Sequence, residues 1–543
     1  MRRRISLIRE LVFAVLGVFA VLPLWIVRHP PIQDLPQHLA AIRVLSDYSD
    51  PKLGFAHWFE LSLGSTQYLT YYLAAKVLAI FLGVSLANGV LLSLSIGGLA
   101  YALRALLRAL GRDEDLALFC FPLLWNAHLI LGFVNFIAAI PLVLWGLSLA
   151  VRQRLAPSRR RAVLLALLLV LTFYTHVVPF AFLAAGVLLL SAGAGVRASL
   201  SRAMPLLPAA LCVSIWFATS PAGRSVSAAI RPGGQPRGLG VRPLYTGWSD
   251  ALRQAPDWLT DVLVSESDDK LLVVWLLLVV LTIGVTVGAR AGDDRASLAA
   301  AERGTLARRL GVLPALAALL YFVTPSSYDW IWPINARFPL LALIFLIPVM
   351  PAPRGAIRLS VLGAAVVLAL LSFTEVTAAF RKFEKEEVGE LDQAIAAIPP
   401  GQKVAGLIWQ RHSRYVKFAP FIHAVAWYQV EKGGAVMFTF ADFPQSPFKF
   451  KPENRPPKVA PRWEWEPGRV DPARDLGFYD YVLTRGDPGR LAQAGVFEQI
   501  FRGPRWAVWK RRSAVSSADR GQPPMYDISM RRRGRVSALR SSE

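Results

Sequence analysis

The sequence predicts a polytopic α-helical membrane protein, with about eleven transmembrane helices and a water-soluble α/β domain at its C-terminal end. Three observations predict it. Apolar runs of membrane-spanning length recur along residues 1–380, arginine clusters separate alternate runs, and the composition turns polar after Val376. Bulk composition agrees: 54% of the 543 residues are hydrophobic, only 18% are charged, and mean hydropathy is +0.41. That is too little charge to cover a soluble protein of this size. The formal net charge of +23 does not mark a nucleic-acid binder, because the arginines lie in short clusters between apolar segments. Cys120 and Cys212 fall inside apolar runs and read as buried thiols, so no disulfide or metal framework is expected.

The first run, 11–27, follows Arg2, Arg3 and Arg4. No small-residue cleavage site precedes the His29-Pro30-Pro31 break, so the run reads as an uncleaved transmembrane helix. The others cover 87–110, 116–131, 135–151, 163–175, 177–190, 204–219, 271–288, 310–324, 338–350 and 357–376. With the N-terminus cytoplasmic, the inner loops carry Arg104, Arg108 and Arg112; Arg152, Arg154 and Arg159 to Arg161; Arg197 and Arg202; Arg290, Arg295, Arg303, Arg308 and Arg309; and Arg354 and Arg358. The opposite loops are nearly free of positive charge: none at 125–135, and only Arg337 at 325–338. The outer loop 220–270 carries five arginines, which a long translocated loop tolerates.

An odd number of spans puts the C-terminal domain outside a bacterial-type inner membrane. The other long outer loop, 28–86, contains an apolar stretch at 68–82. It reads as a helix lying on the outer face, since counting it as a span reverses every later loop. Around 231–243 the sequence is rich in Gly and Pro and reads as an irregular loop. Neither internal repeats nor paired broken helices are visible, which speaks against a transporter.

The transmembrane domain therefore covers 1–380 and the α/β domain 381–512. Within the latter, 382–398 reads as a charged helix. Strands are expected at 403–409, 435–440, 479–484, 497–501 and 506–510, the last two around Gly503-Pro504. The Ser- and Arg-rich tail 513–543 reads as disordered.

The most informative stretch is His29-Pro30-Pro31-Ile32-Gln33-Asp34-Leu35-Pro36-Gln37-His38-Leu39. It places an acid just outside the first span, opening an amphipathic helix with Leu35, Leu39, Ile42 and Leu45 on one face. A carboxylate there can act as general base on an acceptor hydroxyl, with His38 one turn on. Asp34 equally suits an N-cap before Pro36, and these residues alone leave both readings open. Other polar residues at outer ends are Trp125, Asn126, His128, Asn135, His176 and Arg337, the last opening a span. Arg337 can fork a phosphate or anchor at the interface. Trp58, Tyr68, Trp125, Trp330 and Trp332 read as an interfacial belt, and His412, Arg414 and Tyr415 as ordinary surface residues. No nucleotide-binding, zinc-protease or nucleophile-elbow motif is present.

The long first outer loop with Asp near its start is followed by Gln67-Tyr68-Leu69-Thr70-Tyr71-Tyr72-Leu73, Phe81-Leu82-Gly83 and the run 88–111. With the many spans and the C-terminal outer domain, this resembles the C-type (GT-C) glycosyltransferase fold. That fold includes protein O-mannosyltransferases, aminoarabinose transferases acting on lipid A, and oligosaccharyltransferases. The resemblance implies that Asp34 is the first-loop catalytic carboxylate, and Arg337-Phe338 matches the arginine followed by an aromatic residue that family members often have near this place in the chain. Many members have an acidic pair where this chain has Gln33-Asp34, and the second outer loop offers no acid. A divalent metal therefore lacks a clear acidic pair, and no cofactor is assigned.

The expected function is an integral-membrane glycosyltransferase moving a pentose or hexose from a polyprenyl-phosphate donor to an extracytoplasmic acceptor hydroxyl on a lipid, glycan or protein. Asp34 and His38 are its expected catalytic residues, and Arg337, His128, Asn135 and His176 its expected substrate contacts. The alternative is a non-enzymatic translocator or assembly factor for lipid-linked glycans, which has no need of an acid fixed at Asp34.

Overall fold

The structure is a computed structural model describing residues 2–512 apart from 194, 222, 225–242, 289–297, 329–330, 458–459 and 461. Most of the Gly- and Pro-rich stretch 231–243, with Arg231, Arg237 and Arg242, lies outside the described residues, as do Arg290, Arg295, Trp330 and the tail 513–543.

Among the described residues, six helices are long and apolar enough to cross a membrane: Leu7–Trp25, Val84–Ala109, Val134–Leu155, Val196–Thr219, Ala300–Val323 and Gly355–Val388. Thr70–Leu82, Val177–Ser191 and Arg337–Val349 are apolar but shorter. The chain is thus a helical membrane protein. The run 116–131, expected as one helix, is instead a 3-10 helix Glu114–Leu123 containing Pro122 and a short helix Ala127–Leu131. Asn126 caps the latter by accepting the Leu129 N–H at 3.1 Å. Leu116 to Leu131 are buried throughout. The run is apolar on all sides because protein encloses it, not because lipid does.

The stretch 68–82 forms the helix Thr70–Leu82. Tyr71, Tyr72 and Ala75 are buried, whereas Ile80 and Phe81 are 72% and 79% exposed. Gly83, at φ +76°, makes the turn into Val84–Ala109, a conformation that side chains with a Cβ rarely adopt.

Helix Gly355–Phe383 continues as a π-helical turn Glu384–Val388, and Leu391–Ala396 follows beyond Gly389. The charged helix expected at 382–398 is therefore broken in two, at a glycine with φ +62°. Seven strands are described: β1 Phe59–Leu61, β2 Lys403–Ile408, β3 Ala435–Val436, β4 Phe448–Phe450, β5 Tyr481–Arg485, β6 Phe497–Arg502 and β7 Trp506–Arg511. Five form a sheet in the order β3-β2-β5-β7-β6, with β2 parallel to β3 and β5 and the β5–β7 and β7–β6 pairs antiparallel. The strand expected at 435–440 shortens to two residues.

The remaining pair was not legible in the sequence. β1, in the loop after the first helix, runs antiparallel to β4, with Phe59 opposite Phe450. One hydrophobic core accordingly runs from the helices into the sheet, and Ala405, Leu407, Val482 and Trp509 pack a second core on the sheet's other face.

At the end of the bundle carrying basic clusters, Arg104 donates to Glu10 at 2.6 and 2.8 Å and to Glu114 at 3.2 Å. Arg108 forks Glu114 at 2.7 and 2.8 Å, and Arg358 reaches Asp113 at 2.9 Å and Asp115. Asn88, near the other end of the same helix as Arg104, accepts from the Tyr71 hydroxyl. The separation of Asn88 and Arg104 corresponds to about 24 Å along a helix axis.

Candidate active site

Two helix ends meet at Asp34. Helix Leu35–Ser46 starts where Ala127–Leu131 stops. The orphan carbonyls of the second helix accept from the first loop: Ile130 from the Gln33 N–H at 2.8 Å and Leu131 from the Asp34 N–H at 3.2 Å. Gly132, at φ +94°, ends the short helix. A Cβ there would stand 2.6 Å from the Asp34 Cβ, so only glycine allows this approach.

Asp34 occupies the N-cap position, yet its side chain makes no capping hydrogen bond. The carboxylate turns instead towards the C-terminal sheet region. Its Oδ1 lies 3.1 Å from His423 Nδ1, and Nε2 of the same ring lies 3.0 Å from Glu464 Oε1. Burial opposes charge on this ring, but Glu464 and Asp34 overcome it and push its pKa up to about 10. The ring therefore sits charged between two carboxylates at neutral pH. The two nitrogens point apart, so the acids lie on opposite sides of the ring and cannot share one metal ion with it. Among the described residues, no group of three or more His, Cys, Asp or Glu side chains is placed to hold a metal.

The neighbouring first-loop side chains also engage that region. Gln33 Oε1 accepts the Ala419 N–H at 3.1 Å, and Gln37 Nε2 donates to the Phe438 carbonyl at 2.5 Å. Gln33 thus uses its amide as a backbone clamp, at the position where an acidic pair was sought. His29 lies 3.1 Å from Glu384 and 3.2 Å from Asp392, and Arg28 pairs with Asp392 and Glu431.

His38 does not face Asp34 as an acid or base. Its Nε2 is 2.8 Å from the Gly132 carbonyl and its Nδ1 is 2.7 Å from the Tyr72 hydroxyl. Burial pushes its pKa down to about 4, the nearby Asp34 only partly offsetting it. A neutral ring satisfies both contacts, with Nε2–H donating to the carbonyl and Nδ1 accepting from Tyr72. Asn135 joins this group through the Tyr72 hydroxyl.

Behind Gly132, Phe133 begins a second group. The Arg337 guanidinium lies 4.8 Å over the Phe133 ring and donates to the Pro333 carbonyl. It is buried, its Nε has no hydrogen-bond partner, and no carboxylate lies within ion-pair distance among the described residues. His128 is fully buried against Phe133, Phe136 and Trp258, beside the backbone of Ala336. His176 accepts the Val178 N–H at 3.2 Å and packs its ring on Tyr68 and Phe136. Tyr68, His128 and His176 all feel the charge of Arg337. The structure therefore gathers the six expected site residues into two adjoining groups, joined by residues 132 and 133.

Sequence reasoning missed His423 and Glu464. Its other C-terminal residues lie in local contacts: Arg414 pairs with Glu387 at 3.2 Å, Tyr415 binds Glu386, and His412 bonds the Phe418 carbonyl. Trp125, expected in an interfacial belt, is buried and donates to the Ala20 carbonyl at 2.9 Å. Trp332 is half exposed against Trp258.

No protein-family model matches this chain, and neither does any curated protein. Solved structures do. ArnT from Cupriavidus metallidurans in the apo state aligns with TM-score 0.54 at 13% identity, covering 93% of this chain and 98% of that one. The same protein bound to undecaprenyl phosphate aligns with TM-score 0.54 at 14% identity over the same shares. Across nearly its whole length, the chain shares the C-type glycosyltransferase fold of ArnT.

Proposed function

We propose that the protein is an inner-membrane glycosyltransferase taking a sugar from a polyprenyl-phosphate donor on the outer face. One observation carries the reading: a buried arginine, with no acid partner among the described residues, lies over Phe133, the residue after the glycine that packs against Asp34. It does so in a fold whose neighbour has been solved with undecaprenyl phosphate bound.

In this reading the donor phosphate meets Arg337, which balances the charge growing as the bond from the anomeric carbon to the phosphate oxygen breaks. His128 and His176 line the same group as neutral polar neighbours. The acceptor hydroxyl attacks the anomeric carbon and gives its proton to Asp34. His38, with both nitrogens engaged, serves by holding Gly132 and Tyr72 in place, and Asn135 by steadying Tyr72. A lipid-borne donor suits an outer site, where nucleotide sugars are not expected.

The test is consumption of undecaprenyl-phosphate-linked pentoses and hexoses by membranes carrying the wild type or Asp34→Asn. The Asn variant should fold and lose transfer by at least about 100-fold, since an amide cannot take the proton. Wild-type transfer by that variant would remove Asp34 as the base. No consumption by the wild type across the panel would favour a translocator.

The proposed orientation has the N-terminus inside and the C-terminal domain outside. Reporter fusions at Gly401 should read as extracytoplasmic, and a cytoplasmic reading would reverse the topology.

A further inference from the structure

The first-loop carboxylate is not oriented by its own loop, because Asp34 makes no capping bond to the helix it opens. We infer that His423 is a positioning residue for Asp34, itself held by Glu464, so that the C-terminal domain completes the reaction centre. The inference rests on Asp34 being the base.

His423 lies between two buried residues, Ile422 and Ala424, and Glu464 sits on the four-residue helix Arg462–Trp465. The ring is 14% exposed, and each nitrogen has its own carboxylate oxygen, at 3.1 and 3.0 Å. His423 Nδ1 and Glu464 Oε1 make no hydrogen bond of good geometry, so these are charge pairs, and the ring holds both acids by its charge. The other titratable groups facing Asp34 are the buried His38 and Tyr72. Among the described residues, no Lys or Arg lies within ion-pair distance of Asp34 or Glu464. The ring is therefore the cation that sets the direction of the Asp34 carboxylate.

The second carboxylate has a distinct task. With Asp34 alone, the imidazolium would be left as an unpaired buried cation once Asp34 accepts a proton from the acceptor. Glu464 keeps the pair neutral through that step, so the proton can stay on Asp34 without expelling one from His423. Positioning from across the chain also couples the chemistry to docking of the C-terminal domain.

The experiment uses the full chain in detergent, with ¹⁵N-labelled histidine rings read by NMR, alongside transfer from whichever donor of the panel the wild type consumes. At pH 8 the His423 ring should be doubly protonated in the wild type and neutral in Glu464→Gln. His423→Gln should lower kcat about 10-fold or more with little change in KM for the donor. Glu464→Gln should lower kcat by a smaller factor, again with little change in KM. A neutral ring in the wild type at pH 8, or an unchanged kcat in His423→Gln, overturns the inference. Failure of the Asp34 reading looks different: Asp34→Asn would then retain transfer while the His423 signal still responds to Glu464→Gln.

Discussion

Arg104 and Arg337 are buried to a similar degree, 4% and 7% exposed, in helices of one bundle, yet they are held in opposite ways. Arg104 meets Glu10 and Glu114, within a network that, through Arg9, also ties Arg108, Asp113, Asp115 and Arg358 across four helical segments. Arg337 has one backbone carbonyl, a phenyl face, two histidines and a tyrosine around it. Burying a cation is costly unless an anion or several acceptors offset the loss of water. Arg104 carries its counter-charge within the chain, which suits a structural clasp. Arg337 has none among the described residues, which suits a site whose anion arrives with the ligand. Missing carboxylates alone do not make a site. Arg485 is equally buried and uses the carbonyls of Gln410 and Glu387 and the Phe421 ring, inside the sheet domain. What sets Arg337 apart is the neutral polar groups gathered round its charge.

The contrast can be broken from either side. The largest effect is expected at Arg337→Lys, which keeps the charge but loses the planar fork. Transfer from the lipid-linked donor should fall by about 100-fold, with thermal stability in detergent little changed. If stability falls and transfer per folded molecule does not, Arg337 belongs with Arg104 as a structural group.

Arg104→Ala should do the reverse. It should cost about 1–3 kcal/mol of stability, discounted because Glu10 is half exposed, and leave transfer per folded molecule close to wild type. A thermal melt beside a specific-activity measurement separates the two variants.

The smallest effect concerns pH and sharpens the Asp34 side of the contrast. His423 has a raised pKa in the folded chain, so its contribution is fully present below its unfolded value of 6.5 and fades as pH rises towards about 10. His38 has a lowered one, so its contribution is present above 6.5 and is lost as pH falls towards about 4. Hydrogen-exchange protection of the first loop and of residues near His423, corrected for the intrinsic exchange rate at each pH, should therefore fall at both extremes. His423→Gln should flatten only the alkaline arm, and an unchanged alkaline arm counts against the charged ring.

Several site residues were visible one at a time in the sequence. Asp34 follows a span and a Pro-Pro break and opens an apolar-faced helix, and Arg337 is the one basic residue of its short loop. His423 carries no such mark. It lies in Phe421-Ile422-His423, whose flanks say only that it is buried, and its partner Asp34 is almost four hundred residues away. Glu464, between Trp463 and Trp465, reads as an ordinary acid. The β1–β4 pairing was hidden for the same reason, since three-residue strands in separate regions leave no periodicity to detect.

By itself the sequence determined the helical membrane class, the placement of its basic clusters and the strand-rich end, because hydropathy and period are local properties summed over many residues. Tertiary structure alone decided that 116–131 is an enclosed, broken element, that His38 turns to Tyr72 and Gly132, and that Asp34 is met by His423 and Glu464. Those outcomes depend on which distant groups satisfy a buried charge or an orphan carbonyl, and no local pattern encodes the partner.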